Sequence, residues 1–520
     1  MTIKDKSYIT SRYNDFGWGL NVRDSSESID NKQATLAVNV VSEGNKIMTI
    51  PGYSELLTLS TWASRWQAIE TYDGSIYAIY NSNLYAYNIS TQVTKIQLAA
   101  VSSTTDTYRI IITKSFSWGT AICLINTNSS TVEDVKVYEF DWTSFTPKTL
   151  TWLSNKNFKA WMWYEGRLFL GWNPLSPSVM YYSKVSASWL PDNMYNFSWY
   201  PSNAQMIGDW EAIVHMLTNH NEVFIVKKTS IHRITWEKDT TTAYAFLTRQ
   251  ETSTWAVNWF CVIPVEQDII YFDWINLRRL SYEININSMN DDSISREITP
   301  FIASLPSSQP NATMWFAYPY VKLNLRDKFS QENALAVVYN IVDKSHTIQT
   351  WISWTQWAWG IIGIRRSCYF MDASSSKIYE DNKWDTYNWG EIFQSFITKF
   401  FSEWDSVDYK RISQCEIKWN VTPESRLYID VWVDWNLITT KEIYKKWIIS
   451  PTVGSASIWN TLLGWNDEGE YAYMREFKER IEIFSDGRTY AIWVRWNFQW
   501  KFELHYLGTT WKWIKAYDIH

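Results

Sequence analysis

A short strand, a tight turn and a second short strand recur along most of this 520-residue sequence. The runs are rich in β-branched and aromatic residues, and no segment keeps a 3.6-residue apolar period over three turns. The clearest copies are about 40–55 residues apart, a spacing typical of propeller repeats. They begin near Asp73, Glu165, Asn221, Asp268, Ala334 and Cys368. Each would supply a hairpin of a four-stranded blade, so the pattern predicts an all-β chain with a six- or seven-bladed β-propeller over residues 55–392.

Two further regions flank the predicted propeller. Residues 393–520 contain longer alternating strands, such as Arg426–Val433 and Lys478–Phe484, and these predict a C-terminal β-sandwich. Residues 1–54 are polar and have few strand signals. We interpret them as an N-terminal arm that docks on another surface, because so long a core-poor segment is unusual within a compact domain.

Tryptophan and glycine occur in unusual proportions. The sequence has 35 Trp and only 17 Gly, whereas ordinary glycine usage of about 7% would give roughly 36. Many Trp follow Asp or Asn, as Trp142, Trp210, Trp274 and Trp435 do. Asp-Gly or Asn-Gly is expected in such turn contexts, because the backbone there must adopt positive φ. We hypothesise that many of these Trp stand where the natural protein has glycine. This happens when UGA, which means glycine in one variant genetic code, is translated as Trp.

The competing interpretation is a truly Trp-rich protein whose rings stack on sugars or bases. The glycine hypothesis predicts that Trp142, Trp210, Trp274 and Trp435 lie in turns with exposed rings and often with positive φ. Trp315 and Trp351 are expected to differ from these four.

Composition and motifs argue against several functional classes. The formal net charge is −6, so a broad electrostatic nucleic-acid binder is not expected. The four cysteines are far apart and form no CxxC, which argues against a zinc site or a disulfide framework. We also expect no secretory signal and no membrane segment, because no apolar run has the required length.

No residue set predicts catalysis, a cofactor or a metal. The Walker, HExxH and GxSxG motifs do not occur in the sequence. The acidic pairs Asp291-Asp292 and Asp467-Glu468 could serve a glycosidase, but both are expected in solvated loops. His215 and His220 lack accompanying metal ligands, and His232 is expected at the surface of a strand.

The N-terminal segment has a distinctive pattern. With Trp18 read as glycine, Gly-Gly-Gly-Leu-Asn is followed by Gln-Ala, Asn-Val and Pro-Gly-Tyr. The pattern residues are Gly17, Gly19, Leu20, Asn21, Gln33, Ala34, Asn39, Pro51 and Gly52. This resembles the opening of β-propeller virion proteins of tailed phages, among them the tail nozzle proteins of short-tailed phages, where the motif is structural. Ile50 departs from that pattern, because the family has Arg there.

The resemblance continues along most of the chain. Tyr164–Pro174, followed by Tyr181–Ser183 and Trp189, is similar to one blade of that family, and Ile225–Trp236 is similar to another. The matches improve when Trp18, Trp172 and Trp236 are read as glycine. The motifs consist of turns and strands, so they are more specific for the fold than for the position of the protein in the virion.

The resemblance implies a structural virion protein, not an enzyme, in the tail or head–tail channel through which DNA passes. Its partners would be other copies of itself in a ring and portal, adaptor or other tail proteins, with DNA only in transit. It would be made in the host cytoplasm and reside in the virion, at the tail or head–tail junction. The alternative is a glycan-binding or glycan-cleaving β-propeller used in host recognition, which would need converging acids and exposed Trp in its central funnel.

Overall fold

A computed structural model shows a chain built almost entirely of β-strands. The structure describes residues 9–13, 19–25, 28–30, 32–59, 66–115, 119–128, 130–185, 191–198, 204–219, 222–237, 245–252, 254, 256–283, 288–307, 309, 312–329, 333–362, 365–372, 376–381, 392–401, 410–421, 424–446, 475–498 and 502–513. Within these ranges the only α-helix is α1 (Thr299–Ser304), and 3-10 turns lie at Pro191–Tyr195 and Trp259–Cys261. No helix in the same ranges has the length and apolar character to span a membrane.

Six strands precede residue 59, and most of them pair with strands far along the chain. They are β1 (Ile9–Tyr13), β2 (Gly19–Leu20), β3 (Gln33–Val38), β4 (Val40–Glu43), β5 (Lys46–Thr49) and β6 (Tyr53–Thr58).

Five four-stranded antiparallel sheets follow, each with its strands in chain order. The first contains β7 (Trp66–Tyr72), β8 (Ser75–Tyr80), β9 (Asn83–Asn88) and β10 (Thr94–Gln97). The second contains β11 (Tyr108–Lys114), β12 (Thr120–Asn126), β13 (Lys136–Phe140) and β14 (Phe145–Lys148). The third contains β15 (Ala160–Tyr164), β16 (Arg167–Gly171), β17 (Val179–Tyr182) and β18 (Ala204–Met206). The fourth contains β19 (Ile213–Asn219), β20 (Glu222–Lys227), β21 (Ile231–Glu237) and β22 (Ala245–Thr252). The fifth contains β23 (Val262–Val265), β24 (Asp268–Phe272), β25 (Leu277–Glu283) and β26 (Ser288–Ser293).

Neighbouring sheets cover each other's faces. Apolar residues of the first and second sheets form one buried cluster, and residues of the second, third and fourth form another. Every side chain of β8 is therefore buried, which explains its continuous apolar run where a half-exposed strand would alternate. The predicted turn at Asp73-Gly74 is present between β7 and β8, and both residues have positive φ.

A long strand joins two further sets of strands. β27 (Thr313–Ala317), β28 (Tyr320–Arg326), β29 (Asn333–Asn340) and the first part of β30 (Ser345–Ile362) form one antiparallel set. The second part of β30 pairs with β31 (Arg365–Asp372), which pairs with β32 (Lys377–Asp381). β6 pairs with β32 and is the fourth strand of this set. A strand from the N-terminal region thus completes a sheet that begins about 300 residues later.

The C-terminal strands form two sheets that share one apolar core. They are β33 (Ile392–Thr398), β34 (Lys410–Val421), β35 (Glu424–Val433), β36 (Asn436–Lys446), β37 (Arg475–Gly487), β38 (Tyr490–Phe498) and β39 (Phe502–Trp513). One sheet has the order β37-β34-β39-β5-β4, with β1 also paired to β39, and the other continues from β3 through β33, β38 and β35 to β36.

The N-terminal segment differs from the docking arm expected over residues 1–54. From Gln33 onward its strands pair with β30, β33 and β39 of the same chain. Ala34, Ala37, Val40 and Ile47 are fully buried in the C-terminal core. The polar composition conceals this role, because the fully buried residues of β3 are the small Ala34 and Ala37, set among partly exposed neighbours.

Tryptophans occupy two kinds of position. Trp66, Trp161, Trp315, Trp419 and Trp496 are buried, and none of them has positive φ. Trp142, Trp152, Trp172, Trp274 and Trp435 have positive φ. Trp210 lies in a bend with its ring 81% exposed but without positive φ. The ring of Trp142 is half-buried against Phe140, contrary to the expected exposure, and the side chain of Trp351 lies outside the described residues.

A buried ion pair links the set of β27–β30 to the set closed by β6. Lys322 on β28 donates hydrogen bonds of 3.2 and 2.9 Å to the two carboxylate oxygens of Asp381 on β32. Both side chains are fully buried, and the Lys322 ammonium lies 4.7 Å from the centroid of the Trp315 ring. Loss of either partner would leave an uncompensated charge in the interior.

We predict that Asp381→Ala lowers the free energy of unfolding by about 3–5 kcal/mol. Glu55→Ala is the matched control, because Glu55 on β6 forms a partly exposed ion pair with Lys377, which lies on the same strand, β32, as Asp381. Such a pair contributes at most about 1 kcal/mol. Urea unfolding midpoints measure both changes, and equal effects for the two variants would contradict the assigned role of the buried pair.

Candidate functional site

The residues of the N-terminal motif converge on a buried junction. Gly19 and Leu20 form β2, which runs parallel to Gln33 and Ala34 of β3 and beside His346 of β30. Gly19 has φ +65°, and a Cβ there would lie 2.5 Å from the backbone oxygen of His346. Only glycine fits so close to a neighbouring backbone.

Asn21 holds the loop that follows this strand. Its side-chain amide donates to Gln33 Oε1 at 2.9 Å and to Asp24 Oδ2 at 3.1 Å. Its Oδ1 accepts from the backbone amides of Arg23 and Asp24. The Leu-Asn and Gln-Ala parts of the motif therefore form one hydrogen-bonded unit, although 12 residues separate Asn21 from Gln33.

Asn39 connects this unit to two other regions of the chain. It is fully buried, with φ 56°. Its side-chain amide donates to Thr350 Oγ1 at 3.1 Å and to the carbonyl of Phe393 at 2.8 Å, and its Oδ1 accepts from the Thr350 amide at 2.8 Å. Asn tolerates this backbone conformation better than most residues. Gly52 is buried and Pro51 half-buried before β6, whereas Gly17 lies outside the described residues.

A second group of polar residues lies where the first strands of the sheets meet. Arg109 on β11 donates a 2.6 Å hydrogen bond from Nη1 to Nδ1 of His215 on β19. β15 belongs to the intervening sheet, so this bond joins two sheets that are not consecutive. Glu70 on β7 lies close enough to Arg109 for each charge to affect the other's pKa.

Burial dominates the protonation of this group, which we call the axial cluster (Glu70, Arg109 and His215). Loss of hydration raises the pKa of Glu70 to about 7, against the smaller opposing effects of the Thr71 amide and Arg109. Burial, and then the Arg109 charge, hold the pKa of His215 well below its usual value. His215 is therefore neutral at pH 7, and its Nδ1 can accept the hydrogen bond from Arg109.

An open groove of about 290 Å³ lies beside the third sheet, between the segment that leads into β15 and the loop that joins β16 to β17. Phe158, Tyr181, Asn173 and Ser176 line its wall, with Trp152 and Leu175 at the rim. The rings of the groove could contact a sugar. Its described lining includes no Asp or Glu, so it lacks the two carboxylates of a glycosidase.

The structure places other predicted residues away from any shared site. Asp291 lies on β26, not in a loop, and accepts from Arg278 Nε and Nη2, Tyr271, Thr252 and Thr254. His232 is buried beside Ser230, so the predicted surface position is wrong. Asp467-Glu468 and His220 lie outside the described residues. No group of His, Cys, Asp and Glu suited to a metal occurs in the described part of the chain.

The sequence analysis missed the axial cluster. Glu70, Arg109 and His215 each occupy a strand in a different sheet, and no local motif marks them. The available signal is weak: a charged residue appears within the first strand of a repeat where apolar residues dominate.

Comparisons with known proteins identify no family. No protein-family model and no curated protein matches the chain. Similar solved structures include the computationally designed Ika8 protein, at 10% identity and TM-score 0.37, over 63% of this chain and 99% of that one. The N-terminal domain of Nup159 has 8% identity and TM-score 0.38, over 67% and 99%. PorZ of the Porphyromonas gingivalis type-IX secretion system has 8% identity and TM-score 0.36, over 75% and 46%. At these scores the likeness carries no argument about this chain.

We predict that Gly19→Ala destabilises the protein more than Gly74→Ala does. Both glycines have positive φ, which costs an alanine about 1–2 kcal/mol. A Cβ at Gly74 meets no atom within 4 Å, whereas at Gly19 it meets the His346 backbone, which adds about 1–3 kcal/mol. Thermal unfolding of both variants measures the difference, and an equal loss would show that β2 does not pack against β30 as described.

The axial cluster predicts a specific dependence of stability on pH. Since Glu70 binds its proton more tightly in the folded chain, its contribution to stability falls as pH rises from about 4.5 to about 7. His215 acts oppositely, because its depressed pKa stabilises the folded chain above its unfolded value of 6.5 and this contribution is lost as pH falls.

Glu70→Gln isolates the first contribution, since His215 is present in both proteins. Relative to the unmodified chain, the variant should gain on the order of 1–3 kcal/mol between pH 4.5 and pH 7.5. Unfolding free energies at a series of pH values measure this gain. A difference that stays constant with pH would contradict the raised pKa of Glu70.

Proposed function

We propose that this chain is a structural virion protein of a tailed phage, part of the tail or head–tail channel. The observation that supports it most is the convergence of Gly19, Leu20, Asn21, Gln33 and Ala34 on one buried junction. These are the residues through which the sequence resembles tail-channel propellers. Their role here is architectural, as a structural motif of such proteins requires.

We propose a closed seven-bladed β-propeller followed by a β-sandwich. Five blades are the five four-stranded sheets, the sixth is β27–β30, and the seventh is the second part of β30 with β31, β32 and β6. The first strands β7, β11, β15, β19, β23 and β27 each contact the next, and β30 contacts both β27 and β7. This cyclic order of contacts is what a propeller with all its blades in one ring would have.

Two acidic residues of the described chain are engaged in structural contacts, which is compatible with this function. Arg278 and three hydroxyl groups engage the half-buried Asp291, and Lys322 neutralises the buried Asp381.

Copies of the chain would form a ring around the path of the DNA. The net charge of −6 suits such a passage, because acidic walls repel phosphate groups whereas basic walls bind them. Most oligomers of identical chains are closed and symmetric, so we expect a ring that forms on a portal or adaptor protein.

A glycan-binding propeller for host recognition is the second candidate. The groove with Trp152 and Leu175 at its rim favours it, because exposed apolar rings are the usual platform for sugars. Its lack of a carboxylate favours binding over cleavage.

Reconstitution tests the proposal. The full-length chain is mixed with each portal, adaptor and tail protein encoded beside its gene, and the products are sized by native mass spectrometry and imaged by negative-stain electron microscopy. A closed symmetric ring with at least one partner is expected, while the chain alone stays smaller.

Two outcomes contradict the structural function. One is that no partner yields a ring. The other is glycan cleavage by the full-length chain at rates of about 1 s⁻¹ or more, which are typical of enzymes.

A further inference from the structure

Tryptophan is the commonest non-glycine residue in left-handed backbone conformations of the described chain. Sixteen non-glycine residues have positive φ, and five of them are Trp. Five glycines of the described chain also have positive φ. A bulky residue at positive φ is an outlier, because its Cβ crowds the backbone. The five tryptophans are Trp142, Trp152, Trp172, Trp274 and Trp435.

Three hairpins provide a comparison within the protein. Asp73-Gly74, Glu165-Gly166 and Asp434-Trp435 each link two antiparallel strands through a two-residue turn. The φ pairs are 46° and 71°, 45° and 73°, and 47° and 67°. Positive φ at both positions defines the type I′ turn, which strongly prefers glycine second. The third hairpin has the same backbone and differs in having Trp at that position. A fourth turn of this kind, Asn81-Ser82 with φ 49° and 65°, has the small residue Ser there.

Two other loops repeat a second arrangement. Asp141 accepts hydrogen bonds through Oδ1 from the amides two and three residues later, and Asp273 does the same. Trp142 and Trp274 follow these aspartates, with φ 67° and 86°. Trp142 packs on Phe140, whereas Trp274 is 37% exposed. The two loops have similar backbone conformations, but the indole has different surroundings in each.

We infer that positions 142, 152, 172, 274 and 435 are glycine in the protein as its natural host makes it, encoded by UGA. The backbone at these five positions favours glycine over a bulky side chain. The indoles have no contact in common, since Trp435 stacks on Phe400 whereas Trp152 is 78% exposed. The sequence as a whole has 35 Trp and only 17 Gly, which is the imbalance that glycines translated as Trp would produce. This inference does not depend on the proposed tail function.

The inference bears directly on the sugar-binding alternative. Trp152 is 78% exposed at the rim of the groove and has φ 67°. Glycine at position 152 removes the most prominent ring from that rim. The described lining of the groove then retains Leu175, the buried Phe158 and the half-buried Tyr181, and none of its described residues is an exposed indole. This weakens the case for a sugar platform at the groove.

Recombinant variants test the backbone requirement. Trp435→Gly and Trp435→Ala both lose the stacking of the indole on Phe400, so the difference between them isolates the backbone. Trp435→Gly should melt about 2–4 °C higher than Trp435→Ala, because only glycine relaxes the strained turn and alanine keeps a Cβ at positive φ. Trp66→Gly is the control at a fully buried ring that packs on Tyr80, and it should lower the melting temperature. A lower melting temperature for Trp435→Gly than for Trp435→Ala would overturn the inference.

Codons and peptide masses test the identity of the residues. The coding DNA should have UGA at all five positions, and tandem mass spectrometry of the protein isolated from its natural host should give glycine there. UGG codons at these positions, or tryptophan masses in the natural peptides, would overturn the inference. These results are independent of ring assembly, so failure of either proposal can be recognised separately.

Discussion

The pairing of β6 with β32 is the constraint on which the architecture depends. Tyr53–Thr58 pairs with Lys377–Asp381, a contact between residues more than 300 positions apart. Closing so large a loop costs conformational entropy before any contact compensates for it. The fully buried ion pair between Lys322 and Asp381 lies at the same strand and fixes β32 against the preceding set of strands. The N-terminal strand β6 is thereby held to β32, and β32 to the set of β27–β30.

The rest of the N-terminal segment extends this constraint into the C-terminal sheets. β3 lies between β30 and β33, and β5 pairs with β39. Asn39 makes hydrogen bonds to Thr350 and Phe393, so one buried side chain contacts strands from both regions. The N-terminal segment therefore contributes strands to both regions of the chain.

Local features were predictable from the sequence and long-range ones were not. The all-β character followed from short β-branched and aromatic runs, and the turn at Asp73-Gly74 followed from its dipeptide. The burial of Ala34 and Val40 was missed, because it depends on pairing with strands more than 300 residues away, which the local sequence does not reveal. Glu70, Arg109 and His215 could not be grouped, since only the arrangement of sheets brings them together. His232 was wrongly expected at the surface for the same reason, because its burial depends on the arrangement of the sheets.

Native-state hydrogen exchange of the full-length chain, followed by mass spectrometry in increasing denaturant, tests the N-terminal closure most directly. The hydrogen-bonded amides of β6 are expected to exchange as slowly as those of β32, and both sets should lose protection at the same denaturant concentration. Rapid exchange of β6 while β32 stays protected would contradict the account, because the N-terminal strand would then not complete the sheet.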